Sequence, residues 1–389
     1  MTDSRAPKSA ADETSAVARG WSVLVWLSSG RWRQRLVYWS GALLVGLAAA
    51  AFADLCERVL ALFEQLRGRH PFMPLLVTPL IFATLAWLTQ GRLSATRGSG
   101  IPQVKAALAG HDEGWQRRML SMPMALAKMV LTVLAFGGGA SVGREGPTVH
   151  VGAGLLYGLG QRFGLTDPRV VRHLVLAGAA GGIAAAFNTP LAGVVFAIEE
   201  MAGAFEEPMS GVLLTAVILA GITAIGVLGD YAYFGRVEAT LPLGGAWLAV
   251  LVTGIVGGLT GGLYARLILW QPADWLGRFA FARHRAGVLV AFACGLALVL
   301  LCLVSGHDLY GSGYAQAHAI VQQQVGQGAG GTYGVLKFLA NVVSYWSGVP
   351  GGIFSPSLAV GAGLGQGLAP WLAGSLPGHG AGGGPGDAR

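Results

Sequence analysis

The chain is poor in charge and in cysteine. Asp, Glu, Lys and Arg make up 12% of its 389 residues, about half of the roughly 25% found in soluble domains. A surface exposed to water needs more charge than this, so a soluble globular protein is excluded. Three cysteines, an odd number, exclude a disulfide or zinc framework. Hydrophobic residues make up 53% of the chain, and their long apolar runs predict an all-α integral membrane protein.

Signatures of several other function classes are missing as well. The sequence has neither the H-E-x-x-H metalloprotease pattern nor the phosphate-binding pattern G-x-x-x-x-G-K-[ST]. It shows no metal-type cluster of His, Cys and carboxylates. Its net charge of +7 comes from basic residues that lie between apolar runs, whereas a nucleic-acid binder would gather them on one face. We therefore expect no enzymatic activity, no metal, no cofactor and no nucleic-acid partner.

The sequence divides into four segments. Residues 1–35 carry an excess of Arg and Lys, which predicts a cytoplasmic N-terminus by the positive-inside rule. Residues 36–229 and 239–372 contain the apolar runs and form two membrane regions. Residues 373–389 are rich in glycine without apolar periodicity, and we predict that this tail is disordered.

Two apolar stretches, Met129–Gly143 and Gly146–Gln161, are short and contain several glycines. They predict helices that end part-way through the membrane. Broken backbone at that depth is tolerated only where it is buried in protein or lines a polar cavity. These glycines therefore indicate a site.

The two membrane regions contain a repeated motif. The sequence GREGPTVHVGAGL at 143–155 matches GIFSPSLAVGAGL at 352–364 at seven of thirteen positions, with an offset of 209 residues. The tripeptide at Gly98–Gly100 recurs at Gly311–Gly313 with an offset of 213. Duplicated broken-helix motifs are typical of transporters built from repeats. In this register the second repeat is incomplete.

The repeated motifs have the character of an anion site. A helix start leaves backbone N–H groups unpaired, and these groups and the helix dipole attract an anion. Two such starts, one from each repeat, are suited to hold one anion between them, and Ser99 adds a hydroxyl donor. The alternative is that the glycines only allow close packing of helices.

Three carboxylates are candidates for a role at such a site. Glu145 lies at a predicted helix start inside the membrane, where an ionised carboxylate would compete with an anion and leave when protonated. Its alternative role is a structural ion pair with Arg144. Glu199 and Glu200 end an apolar run; they are either a plain interfacial helix end or an entry point for protons.

Five segments in this order resemble the signature motifs of the CLC chloride channels and proton/chloride exchangers. They are GSGIP (98–102), GREGPTVHVG (143–152), AAFNTPLAGVVFAIEE (185–200), LYGSGY (309–314) and GVPGGIFSPSLAVG (348–361). The resemblance covers about 36–370. It implies an inverted-repeat helical bundle with broken, part-spanning helices, a homodimer with one pore per subunit, and a multi-pass location in a bilayer, here the bacterial inner membrane.

The resemblance also implies roles for individual residues. Chloride, the bound substrate ion, would contact Ser99 and the backbone N–H groups of Gly146, Ile353 and Phe354. Glu145 resembles the external gating glutamate of the family. Glu200 resembles the internal glutamate that transfers protons.

The implied activity is transmembrane chloride transport, by antiport of chloride and protons. Ser99 resembles the chloride-type motif, whereas nitrate exchangers carry proline there and the fluoride branch lacks the motif. Two alternatives stay open: an uncoupled, voltage-gated type of chloride channel, and a truncated membrane protein that does not transport. The second arises because family members continue with further helices, one of which bears a tyrosine at the chloride site, and no residue here matches that tyrosine's motif.

Overall fold

The computed structural model describes residues 29–110, 113–201, 211–230, 233, 235, 246–272, 283–324 and 329–375. In this part of the chain the regular structure consists of fourteen α-helices and short helical turns, which confirms the all-α fold class. The first nine helices are α1 (Ser29–Arg69), α2 (Pro74–Leu88), α3 (Ile101–Leu108), α4 (Glu113–Met119), α5 (Met122–Gly137), α6 (Glu145–Arg162), α7 (Pro168–Ala186), α8 (Pro190–Phe196) and α9 (Gly211–Leu228). The other five are α10 (Ala246–Leu269), α11 (Arg283–Ser305), α12 (Tyr314–Val321), α13 (Ala329–Trp346) and α14 (Phe354–Ser375).

Within the described residues, five helices are long and apolar enough to cross a membrane: α1, α7, α9, α10 and α11. Helices α2 and α5 are apolar but shorter. This confirms a multi-pass membrane protein. The cysteines Cys56, Cys294 and Cys302 are free and buried in these helices.

One predicted helix boundary is wrong. Helix α5 begins at Met122 rather than Met129, because the charge of Lys128 does not end the apolar segment. The Lys128 side chain is fully buried, and its Nζ donates to the carbonyl oxygen of Gly98 at 2.7 Å. The other part-spanning stretch, Gly146–Gln161, corresponds closely to α6.

The repeat in the sequence extends to the helices. Helices α6 and α14 begin at Glu145 and Phe354, 209 residues apart, and α5 and α13 end at Gly137 and Trp346 with the same offset. Helices α3 and α12 both contain eight residues and are offset by 213. The change in offset therefore falls in the connections that precede α5 and α13. The predicted segment boundaries stay predictions, and residues 1–28 and 376–389 lie outside the described residues.

Within the described residues, each half of the chain contains one fully buried lysine, and the two are related by the repeat. Lys337 lies 209 residues after Lys128. Its Nζ donates to the carbonyl oxygens of Leu309 and Gly311, both at 2.8 Å, and to that of Tyr310 at 3.4 Å. Each lysine thus binds the turn that holds the Gly-Ser-Gly sequence of its own half.

The main core surrounds α7, whose side chains from Leu174 to Ala186 are almost all buried. Helix α6 packs against α7 at a point where Gly152 and Gly178 face each other. A Cβ atom on either glycine would collide with the carbonyl oxygen of the other. At Gly152 the packing interpretation of the glycines is therefore correct.

We expect the Gly152→Ala substitution to destabilise the protein by about 1–3 kcal/mol, because a methyl group must fit between two backbones. Gly361 is its matched control: it occupies the equivalent position in the second VGAGL sequence, and a Cβ atom there meets nothing within 4 Å. Thermal unfolding in detergent, followed by size-exclusion chromatography, should show a lower melting temperature for Gly152→Ala and no loss for Gly361→Ala. Equal effects would contradict this account.

We expect the Lys337→Met substitution to destabilise the protein strongly, because it leaves several buried carbonyl oxygens without a donor at about 1–3 kcal/mol each. The same thermal assay measures this. Arg58→Met is the control, since that side chain is 75% exposed and pairs with Asp54 on the surface. A Lys337→Met protein as stable as Arg58→Met would show that the lysine does not support the turn.

Candidate functional site

The starts of α6 and α14 meet in the interior of the protein. Gly143 and Gly352, which precede these helices, form a short antiparallel bridge. The Gly143 N–H donates to the Gly352 carbonyl oxygen at 2.7 Å, and the Gly352 N–H donates to the Gly143 carbonyl oxygen at 2.6 Å. The two predicted helix starts are therefore adjacent, with their unpaired N–H groups in the same region.

This approach depends on the absence of side chains at the bridge. A Cβ atom at Gly352 would lie 2.9 Å from the Gly146 nitrogen. A Cβ atom at Gly143 would collide with the Glu145 carboxylate and would lie 2.9 Å from Cδ of Pro356. Glycine at both positions leaves room for the carboxylate between the helices.

The Glu145 carboxylate lies across the start of α14 and is completely buried. Its Oε2 accepts a hydrogen bond from the backbone N–H of Ser355 at 3.4 Å. Its Oε1 accepts one from the Tyr233 hydroxyl at 3.3 Å. Both bonds are long. The carboxylate from one repeat thus occupies the anion-attracting helix start of the other repeat.

The proposed ion pair of Glu145 with Arg144 does not describe the structure. The Arg144 guanidinium instead pairs with the Glu57 carboxylate on α1 and donates to the Ala53 carbonyl oxygen. Beside this pair lies a cavity of about 180 Å³. Its lining residues are Ala53, Asp54, Glu57, Arg144, Leu228 and Tyr314.

Ser99 lies against the start of α6, where a Cβ atom at Gly146 would collide with its hydroxyl. Ser99 is 3% exposed, and its Oγ makes no hydrogen bond within the described residues. Gly100 follows with φ of 107°, a conformation that favours glycine, and begins α3. The structure thus brings Ser99 and Gly146 together, with a buried hydroxyl that retains its donor capacity.

The other two predicted anion contacts, Ile353 and Phe354, lie at the start of α14. The Phe354 ring is 5.3 Å from the ring of Phe187 in an edge-to-face arrangement. Their backbone N–H groups precede the first intrahelical bond of α14, which the Ser357 N–H makes to the Ile353 carbonyl oxygen. Their role as anion donors stays a prediction.

Glu200 is not part of this cluster. It lies in a π-helical turn, Ala197–Met201, directly after α8. Its carboxylate is 48% exposed and pairs with Lys105 Nζ at 2.8 Å. Lys105 belongs to α3, whose first residue follows Ser99 and Gly100. Lys105 is the fifth of the eight residues of α3, so its backbone lies about one helical turn, roughly 6 Å, from the helix start beside Ser99.

Sequence reasoning missed three residues of these sites. Ser355 aligns with Gly146 in the repeat, which was an available signal. Tyr233 lies between α9 and α10 with no motif around it, and Lys105 comes close to Glu200 only through the fold. In the described residues no group of three or more His, Cys, Asp or Glu side chains is placed to hold a metal.

Ser141 belongs to GASVG, which fits the G-x-S-x-G pattern of nucleophilic serines. Its hydroxyl donates to Asn341 Oδ1 at 2.7 Å. Ser141 is fixed in a buried contact between the halves, and its N–H donates to the Ser344 hydroxyl. The contacts of Ser141 are therefore structural.

Comparison with known proteins identifies similar exchangers. The chain is 32% identical over 307 residues to the H(+)/Cl(-) exchange transporter ClcA of Yersinia pestis bv. Antiqua (strain Angola), covering 75% of this chain and 61% of that protein. The values are the same for ClcA of Yersinia pseudotuberculosis serotype O:3 (strain YPIII). The chain thus spans about three fifths of the length of these curated relatives.

Solved structures share the fold. A slow cyanobacterial Cl-/H+ antiporter matches with a TM-score of 0.74 and 25% identity, covering 89% of this chain and 81% of that one. A CLC-type fluoride/proton antiporter matches with a TM-score of 0.69 and 27% identity, covering 87% and 82%. A eukaryotic CLC transporter, 21% identical with a TM-score of 0.65, covers 84% and 59% and supports the fold alone.

The family described as voltage gated chloride channel matches residues 81–384, well over half of the chain. This match includes the two helix starts, Glu145 and the Glu200 turn. The chain belongs to the CLC family of chloride channels and transporters.

Proposed function

We propose that this chain moves chloride across the membrane in exchange for protons, with Glu145 as the gate. The observation that carries the proposal is the buried Glu145 carboxylate, held at the start of α14 by the N–H of Ser355 and the hydroxyl of Tyr233. A carboxylate and a chloride ion are both negatively charged hydrogen-bond acceptors, so one group of donors serves either of them. They therefore compete for the same place.

Protonation changes the outcome of this competition. An ionised Glu145 is stabilised by the helix start, whereas a neutral carboxylic acid gains little from that potential. Once protonated, Glu145 leaves the donors and chloride takes its place. When chloride has moved on, Glu145 returns after losing its proton. The movements of protons and chloride are coupled because this group of hydrogen-bond donors binds only one anion at a time.

The buried Ser99 hydroxyl supports an anion position at the start of α6. It lies against the start of α6 and has donor capacity to spare. An anion between Ser99, Gly146 and the start of α14 (Ile353 and Phe354) would meet a hydroxyl and backbone N–H groups. The serine favours chloride over fluoride, because the resemblance associates this motif with chloride. Efflux of fluoride and chloride from the same liposomes tests this preference.

Exchange is favoured over the uncoupled channel. The matched relatives are named as exchange transporters or antiporters. Glu200 supports proton exchange at a position separate from Glu145, because its exposed carboxylate can take up a proton and its partner Lys105 is also exposed. We infer that Glu200 receives protons on the cytoplasmic side.

We further infer a homodimer in a bacterial inner membrane with its N-terminus in the cytoplasm. Large apolar side chains of α8 and α9 face outward: Leu191, Ile222 and Val227 are 75%, 54% and 56% exposed. Such a surface suits a second copy or lipid.

The first test is chloride efflux from liposomes that contain the purified chain, with external pH recorded in the same trace. We expect chloride efflux with coupled proton uptake. Efflux without proton movement would favour the channel. Correctly inserted protein without flux at any pH would favour the non-transporting alternative.

We expect Glu145→Gln to move chloride without moving protons and with little dependence on pH, because glutamine keeps the side-chain shape but cannot ionise. The same liposome assay measures both ions. Glu64→Gln, a carboxylate further along α1 next to Arg67 and Asp308, is the control and should retain coupling. Unchanged, pH-dependent flux in Glu145→Gln would remove Glu145 from the gate.

We expect Glu200→Gln to lose proton movement while retaining chloride flux, since this site handles protons alone. Its neighbour Glu199 is also exposed, so Glu199→Gln is a control matched in charge and position. If coupled proton transport persists in Glu200→Gln, Glu200 has no role in proton transfer and is a plain interfacial helix end.

A further inference from the structure

Tyr233 is the one described residue between α9 and α10 whose side chain reaches the Glu145 cluster. It is 7% exposed. Its ring lies edge-to-face with Phe187 at 5.0 Å and with Tyr314 at 4.7 Å. These two aromatic contacts fix the ring, and the hydroxyl lies among the polar groups of the gate.

The hydroxyl lies close to two polar side chains of the described residues, Glu145 and Ser355. It lies 3.3 Å from Glu145 Oε1 and 2.6 Å from Ser355 Oγ. A hydroxyl has one proton to donate and can accept from other groups. Since an ionised carboxylate only accepts, the Tyr233 proton is directed to Glu145, and the Ser355 hydroxyl donates to Tyr233. The direction of this short chain is set by the charge at its end.

We propose that the Tyr233 hydroxyl is a ligand shared by the gate and the transported anion. It donates to the Glu145 carboxylate while the gate is closed and to chloride once that carboxylate has left. This proposal rests on the proposed function and adds a residue to its anion site. Chloride, like the carboxylate, only accepts hydrogen bonds, so the chain from Ser355 through Tyr233 keeps its direction when the two exchange.

The test compares chloride binding by isothermal titration calorimetry in a background without the gate, Glu145→Ala. Adding Tyr233→Phe removes the hydroxyl and keeps the ring. We expect chloride binding to weaken about tenfold, which is about 1.4 kcal/mol and in the range of one hydrogen bond. Tyr38→Phe in the same background is the matched control. Tyr38 is also buried, and its hydroxyl donates to the Val170 carbonyl oxygen at 3.5 Å.

A second readout uses the intact gate. Among the described residues, the titratable groups around Glu145 are Cys56 and Glu57 on α1, Arg144 beside it, and Tyr233. Tyr233→Phe changes only the last of these. Loss of its donor weakens the closed, ionised position of Glu145, so the pH of half-maximal chloride flux should rise by about half to one unit.

The outcomes separate the two proposals. If adding Tyr233→Phe to Glu145→Ala changes the chloride affinity by less than twofold, the role of Tyr233 alone is overturned. No chloride binding in Glu145→Ala and no flux in the unmodified chain would overturn both. If Tyr233→Phe fails to fold, as judged by its elution profile, Ser355→Ala removes the hydroxyl that donates to Tyr233 and keeps the aromatic packing. Unchanged affinity in that variant would equally count against the hydroxyl chain.

Discussion

Two helices begin at the same point in the protein interior, and the whole site depends on that meeting. The bridge between Gly143 and Gly352 holds the starts of α6 and α14 together through two short backbone hydrogen bonds. A side chain at either glycine would separate them. In a bilayer, the backbone N–H and C=O groups of a broken helix must form hydrogen bonds within the protein. Here the two interrupted segments form hydrogen bonds with each other. The unpaired N–H groups that remain create a positive potential.

A positive potential enclosed in protein requires a negative charge, and the chain supplies one in Glu145. Buried carboxylates are costly in membranes unless they are compensated. Here the compensation comes from the Ser355 N–H and the Tyr233 hydroxyl rather than from Arg144, which is engaged by Glu57. Because these donors are neutral dipoles, they hold an anion without binding it as tightly as a full positive charge would. Weak, exchangeable binding is what transport requires of a site.

The sequence predicts those features that depend on local chemistry. Glycine and proline mark helix starts, so Glu145 and its counterpart at Phe354 are found from spacing alone, and the helix boundaries follow the same offset. It fails where a contact joins distant segments. Tyr233 reaches Glu145 across 88 positions, and Lys105 reaches Glu200 across 95; no periodicity connects such pairs. The start of α5 was predicted wrongly from Lys128 for a related reason. A charge in an apolar run suggests an end at the water interface until its partner, the Gly98 carbonyl, is known.

The difference between the two offsets, 213 at α3 and α12 and 209 at α6 and α14, has a practical consequence. The extra four residues of the first half lie between α3 and α5, in the segment that contains α4. An insertion inside α5 would turn Lys128 away from the Gly98 carbonyl by about 100° per residue, whereas a longer connection leaves that contact in place. Gly110 lies in this connection, and a Cβ atom there meets nothing within 4 Å. A fluorophore or epitope tag introduced beside Gly110 would therefore report on the protein without disturbing the contact between Lys128 and Gly98.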